Sequence, residues 1–315
     1  MPTYQTFTAI GQREDLSDMI YNISPTETPI MSSIGKTKAT AVYHEWQTDS
    51  LAAATTANAA VEGADATSGT MAPTVRVGNY TQIVSKTIQV SGTLESVDKA
   101  GRKSEKAYQL AKASAELTRN IELTLLSNQI SAAGNSSTAR TMGGIQAWLS
   151  TNGDFGTDGV AGSGGTTARV TGTNRTFTEA LLKTVNAEVY VAGGSPKMLM
   201  VNPTHKQTVS AFAGIAAQRY MAPANEPTTI VGAADVYMSD FGTLSVVPNR
   251  FMNSTNACDD SAFIIDPDML AVAYLRPFQT IELAKTGDSE KTQLLAELTL
   301  EVKNEASCGI VADLT

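Results

Sequence analysis

The sequence predicts an α+β chain whose core carries extended appendages, and three observations predict it. A proline-free stretch rich in helix formers runs from Asp98 to Ala133. Near the end, Leu294, Ala296, Leu298, Leu300 and Val302 alternate with Glu297, Thr299, Glu301 and Lys303, the pattern of a strand with one face covered and one wet. Two early segments, by contrast, are too broken by proline or too poor in large side chains to build a core of their own.

The first of these is "DLSDMIYNISPTETPIMSSIGK", Asp15 to Lys36. It starts as a short amphipathic helix, breaks on Pro25 and Pro29, and continues apolar through Ile30, Met31 and Ile34. Residues 1–42 are therefore expected to form an arm that lies on another copy of the chain. The second segment reads as a long hairpin. Its limbs are Tyr43–Gln47 and Thr74–Thr93, the latter placing Tyr80, Gln82, Val84, Lys86, Ile88 and Val90 on one face. The tip between them is mostly Ala, Thr, Gly and Ser. A lone two-stranded hairpin is marginal in water, so this one calls for an outside surface.

The long helix follows, with Asp98 as its expected N-cap and Gly134 as its stop. Leu110, Leu117, Ile121 and Leu125 fall on one stripe, with Ala107, Ala111 and Ser114 alongside. Unbroken, it would be a rod of roughly 54 Å; the small residues do not sustain the heptads of a coiled coil. A Gly, Ser and Thr-rich loop is expected over 135–176 around "GIQAWLS". Residues 177–265 then alternate. "TFTEALLKTVNAEVYVAG" reads as a helix, "KMLMVN" as a buried strand, and "PTHKQTVSAFAG" as a helix with proline in its first turn. "TIVGAADVYMSDFGTLSVVPNRFM" reads as two strands turning at Asp240–Gly242, and a long hairpin around "KTGDSEK" closes the chain.

Composition narrows the function. The 315 residues suffice for one large domain or two modest ones sharing a core. Only 17% are charged, against about 25% in ordinary soluble domains. That deficit points to a surface that ends up covered. A net charge of −8 repels a polyanion, so any nucleic acid is expected to be enclosed without sequence-specific binding. No secretory signal is readable, and no apolar run approaches the ~18 residues of a membrane span, so no membrane partner is expected. Cys258 and Cys308 are far apart in sequence and read as free thiols of a reducing compartment.

Catalytic and ligand-binding motifs do not close. "SSIGKT" (Ser32–Thr37) ends like a phosphate-binding loop but has Ile30 where the leading glycine belongs. "NGDFGTDG" (Asn152–Gly159) has the look of a calcium loop, yet Gly156 and Ser163 occupy ligand positions. "AGSGG" (Ala161–Gly165) misses the nucleophile elbow by its first residue. His44 and His205 are the chain's two histidines, and neither has a metal-ligand neighbour at the right spacing. The carboxylates of "DDSAFIIDPD" (Asp259–Asp268) read as loop and turn rather than as a glycosidase pair. No enzyme activity, cofactor or metal is expected. A hydrolase using either histidine stands as the rival from another class.

The order of parts resembles the major capsid proteins of tailed bacteriophages, with the Hong Kong 97-type fold. "DLSDMIYNISPTETPIMSSIGK", "YHEWQTDSL", "TMGGIQAWLS" and "DVYMSDFGTLSVVPNRFM" are similar to strings of one such subfamily. The resemblance implies an N-terminal arm (1–42), an extended loop with peripheral-domain strands (43–97), a spine helix (98–134), an axial domain (135–268) and peripheral-domain strands (269–315). It implies a subunit that assembles in the host cytoplasm into the hexamers and pentamers of an icosahedral head around double-stranded DNA. A portal protein and possibly a decoration protein are implied as partners. With only about forty residues ahead of the extended loop, a separate scaffolding protein is implied too. Another virion structural protein, such as a tail-tube subunit, is the alternative within this class. The residues expected at contacts between subunits are Ile20, Ile30 and Met31 of the arm and Trp46, Arg76 and Tyr80 of the loop.

Overall fold

A computed structural model of the protein describes residues 24, 26–63, 65, 69, 71–212, 235–253 and 258–315. The chain enters through α1 (Pro29–Ser33), β1 (Gly35–Lys38), β2 (Tyr43–Thr48), β3 (Val75–Tyr80) and β4 (Gln82–Ser91). Next come α2 (Gly92–Ser96), the long α3 (Glu105–Leu126), α4 (Ile145–Trp148), β5 (Gly153–Asp154), α5 (Glu179–Val191), β6 (Met198–Val201) and α6 (Pro203–Ser210). It closes with β7 (Val236–Ser239), β8 (Gly242–Pro248), β9 (Ala262–Ile265), β10 (Leu270–Leu283), β11 (Ser289–Val302) and β12 (Gly309–Val311).

Three sheets result. One has the order β1-β10-β11-β4, with β1 parallel to β10 and the other pairs antiparallel. The second has the order β5-β12-β9-β6-β8-β7. The third is β2 with β3 alone. The second sheet divides two cores because strand side chains alternate between faces. Met198 and Met200 of β6 and Phe263 and Ile265 of β9 join the core that holds α3 and the first sheet. Their neighbours Leu199, Val201, Ala262 and Ile264 pack with α5 and α6 in the other. Both faces of this sheet are thus covered, which is why β6 and β9 read as continuous apolar runs.

Several sequence expectations need correction. The long helix starts at Glu105, where Ser104 Oγ accepts the Ala107 N–H at 3.2 Å, and not at Asp98. Gly101 intervenes at a φ of 73°, a left-handed turn that stops helix from running through. The helix ends at Leu126, before Gly134, because the chain turns back to pair Ala132 with Thr141 and to seat Gly144 against the helix end. A Cβ at Gly144 would meet the Ser127 carbonyl at 2.2 Å, so only glycine permits that approach. The rod is therefore 22 residues, about 33 Å. Leu117, Ile121 and Leu125 are buried as its stripe predicts, whereas Ala107, Ala111 and Ser114 face outward.

The second hairpin limb also divides. It breaks at Thr81, so that β3 pairs with β2 while β4 pairs with β11 in the body. Nor is β11 half-wet. Glu297 and Thr299 are buried, and the Glu297 carboxylate accepts from Thr81 Oγ1 (2.9 Å), Arg140 (2.5 Å) and Arg276 (2.8 Å). Finally, β12 leaves the closing hairpin for the six-stranded sheet, pairing with β9 and β5. Residues 309–311 therefore belong with the elements of 135–268. Within the expected loop 135–176, α4 is core: Ile145, Ala147, Trp148 and Leu149 are all buried.

Candidate interaction surfaces

The hairpin is fixed at its root and bare at its tip. β2 and β3 run antiparallel in the register Tyr43↔Tyr80 to Thr48↔Val75. At the root, the buried amide of Asn79 donates to the carbonyls of Gly143 (3.2 Å) and Leu300 (2.9 Å) and accepts the Gly143 N–H at 2.8 Å. The Tyr80 N–H donates to Ser131 Oγ at 3.0 Å. Trp46 lays its ring 5.5 Å from that of Trp148, and Tyr43 lies 4.6 Å from Tyr80. His44 Nε2 sits 3.2 Å from Glu301, whose same oxygen accepts from Thr37 Oγ1 at 2.6 Å. Toward the open end, Arg76 grips Glu45 through both nitrogens, Nε at 2.7 Å. That guanidinium hydrogen bond holds the Glu45 carboxyl below the usual carboxylate range.

Past Thr48 and Val75 no strand continues among the described residues. Leu51 is 98% exposed, Val61 78% and Met71 94%. Such side chains cost free energy in water, and no described residue of the chain covers them. From Asp49 to Thr74 the acids are Asp49, Glu62 and Asp65, with no Lys or Arg among them.

The arm behaves differently. Ile30 is fully buried and Met31 nearly so, inside the chain's own core. Both were expected to touch a neighbour; Ile30 is instead enclosed in the core with Leu117 and Ile121, while Met31 joins the same core and also lines an open groove. What holds them is Glu122, a buried carboxylate on α3. It accepts the N–H groups of Ile30 (2.9 Å) and Met31 (3.0 Å) and the Asn249 amide (2.8 Å). These are unpaired donors of the first turn of α1, which has no side-chain cap of its own. Burial pushes the Glu122 carboxyl above its ordinary range, against the pull of its three donors. The sequence gives no sign of this group, since a glutamate in a helix normally faces water.

The six expected contact residues thus separate. Ile20 lies outside the described residues. Ile30 and Met31 are core, Trp46 is half-buried against the core, and Tyr80 is half-buried at the hairpin root. Arg76 is well exposed, its side chain 68% open to solvent. Sequence reading missed a groove of about 370 Å³ between α1, α3 and β10, lined by Met31, Lys36, Thr118, Tyr274, Pro277 and Phe278 among others. Pro277 inside a strand-like run was the available signal, since proline in a strand marks a bulge or an edge.

His205 is buried, its Nδ1 2.6 Å from the side-chain Oδ1 of Asn202, and burial lowers its pKa. Neither histidine hydrogen-bonds a serine or cysteine among the described residues, and no acid, His and Cys cluster there has the makings of a metal site. Cys258 and Cys308 are buried and form no disulfide, their thiols pushed up to about 11 by burial. No described helix is long and apolar enough to cross a membrane.

A long helix across one sheet, a second sheet packed on both faces, and a bare hairpin define the class: a shell subunit of the Hong Kong 97-type capsid fold. Solved structures share it. A cyanophage A-1(L) capsid chain matches with a TM-score of 0.64 at 14% identity, covering 99% of this chain and 98% of that one. A chain from Gordonia phage Cozz matches at 0.62 and 11%, covering 96% and 91%. At such identities the likeness shows the fold alone. The family model for SU10 major capsid protein matches residues 2–315, and the chain belongs to that family, the major capsid proteins of tailed phages, which are virion components. The major capsid protein of Escherichia phage Phieco32 is 28% identical over an alignment 347 positions long, covering 96% of this chain and 94% of its own. The expected fold and role hold, and the tail-tube alternative gives way.

Proposed function

We propose that copies of this chain close into the hexamers and pentamers of an icosahedral head by laying the extended hairpin across an adjacent copy. The observation that carries this reading is the tip: a segment with a rigid root, three nearly bare apolar side chains and no surface of its own to rest on. Each subunit makes several such contacts. A contact that is weak alone becomes stable when many close at once, and errors can reverse before closure. The acidic balance suits a wall along which packed DNA slides without adhering.

In this reading residues 1–42 form the arm. Residues 43–97 are the extended loop and 98–134 the spine. Residues 135–268 with β12 are the axial unit, and 269–308 the peripheral strands. Assembly takes place in the host cytoplasm with a separate scaffolding protein, a portal and possibly a decoration protein, and the subunit has no catalytic role. Deleting Asp49–Met71 is the test. Circular dichroism should show a folded, soluble protein, and electron microscopy should show no regular shells; closed shells from the deletion overturn the reading.

A further inference from the structure

We propose that His205 is an acid-sensitive fastener: neutral, it seats the first turn of α6 on the six-stranded sheet, and protonated it loosens α6 while the core around α3 stays closed. Hydrogen bonding sets which neutral form is present. Asn202, the N-cap of α6, accepts the His205 backbone N–H at 2.6 Å through the same Oδ1 that lies 2.6 Å from Nδ1. Its amide nitrogen donates to the Asp259 carbonyl at 2.8 Å, which fixes the orientation of the amide. An acceptor facing Nδ1 calls for a proton on that nitrogen, and the neutral ring then has a bare lone pair on Nε2. His205 is 2% exposed, and its Nε2 is buried with no hydrogen-bond partner among the described residues. A second proton would put an N–H there with nothing to accept it, leaving a buried donor unsatisfied.

The surroundings oppose the charge as well. The ring lies 5.6 Å from that of Phe177, which packs edge-on to Phe212 at 5.6 Å. His205 also stands in the first turn of α6, at the positive end of the helix dipole, where a cation is disfavoured. The charged groups that bear on the ring are Asp259 and Asp260, just ahead of β9, and neither hydrogen-bonds it. Asp260 is taken up by Arg169 at 2.6 Å. Lys206, the next residue of α6, sends its Nζ to Asp235 (3.1 Å) and the Val246 carbonyl (2.8 Å). Burial outweighs the two carboxylates and lowers the pKa of His205. The unfolded chain therefore takes up the proton first as pH falls. The seating of α6 is fully present above the ordinary histidine value, about 6.5, and is lost as pH drops through the lowered one. His205 and Val209 are the two buried residues of α6, so the histidine is a large part of what seats it. Glu122 has the opposite sign, since its raised carboxyl favours the α3 core toward acid. Acid thus loosens one side of the sheet and spares the other.

Hydrogen–deuterium exchange of the full chain, read by mass spectrometry at about pH 7.5 and about pH 5 and corrected for the intrinsic pH dependence of amide exchange, is the test. In wild type, protection over α6 should fall severalfold on acidification while protection over α3 holds. His205→Asn keeps a donor toward Asn202, and His205→Phe keeps a ring in the buried site; neither takes up a proton, so both should show equal α6 protection at the two pH values. If the asparagine variant does not fold, the phenylalanine variant carries the comparison. His44→Gln should respond as wild type does. Exchange of the imidazole C2–H in wild type should place the titration midpoint of His205 below the ordinary histidine value. A midpoint at or above that value overturns the assignment. So does wild-type α6 protection unchanged by acid, an acid response that survives in the His205 variants, or α3 opening together with α6.

Discussion

The arm and the hairpin look alike in sequence and are treated oppositely by the fold. Both are extended segments ahead of the spine helix, and both read as appendages made for a neighbour. Yet residues 29–38 are built into the body: Ile30, Met31 and Ile34 enter the core, and β1 joins β10 in a parallel ladder. The described residues between 49 and 74 are all exposed. The difference is side-chain size and spacing. Three large apolar residues within five positions, on a helical turn started by Pro29, bury enough surface to dock a short segment at roughly 25 cal/mol per Å². A tip of alanine, threonine and glycine has little apolar area to bury against the entropy that ordering costs.

The largest expected effect lies where the arm and spine share a core. Leu117 is 2% exposed in the cluster that holds Ile30 and Met31. Leu117→Asp should cost more than the ~2–5 kcal/mol of a core Leu→Ala change, because it adds a buried charge to the cavity. Denaturant melts should show this, and an unchanged midpoint means that the face is not core. The tip deletion is the counterpart and should leave the same midpoint where it was.

Glu122→Ala comes next. It strands two backbone donors and the Asn249 amide, at about 1–3 kcal/mol for each left unsatisfied, reduced by whatever water enters. A loss on the order of 3 kcal/mol and faster tryptic cleavage at Lys36 and Lys38 are expected. Unaltered cleavage would show that apolar packing alone holds the arm. Glu122→Gln sharpens the point through pH. A carboxyl whose folded pKa is raised stabilises the fold below the ordinary carboxylate range, about 4.3 for Glu, and loses that contribution as pH rises through its raised value. Wild type should therefore lose stability across that window relative to Glu122→Gln; parallel pH profiles overturn the assignment of the shift to this residue.

How much of this was legible follows from what each signal measures. Periodicity found the buried stripe of α3 and the closing strands, because burial on one face leaves a repeating trace in the sequence. It failed at Glu297, whose alternation suggested solvent, because the cover comes from Thr81, Arg140 and Arg276, distant in sequence. It failed at Glu122 for the same reason: the donors it caps lie some ninety residues away. The helix start was misjudged because Asp98 is as good a cap by type as Ser104, and only the left-handed turn at Gly101 decides between them. The bare tip was plain from composition. The groove between α1, α3 and β10 was not, since it exists only once those elements pack.

The smallest effect distinguishes an internal brace from a contact. Arg76 and Glu45 brace the outer hairpin, and both are open to solvent, so removing either should leave the melting temperature essentially unmoved. Shell formation separates their roles. If the pair only stiffens the hairpin, Arg76→Ala and Glu45→Ala lose the same interaction and should lower shell yield equally. If Arg76 also reaches an adjacent copy, as expected of an exposed arginine beside a bare segment, Arg76→Ala should be the more damaging of the two, and the double variant no worse than Arg76→Ala alone. Equal yields from the two single variants, measured by light scattering across a salt series, would confine Arg76 to the brace and move the contact outward to the tip.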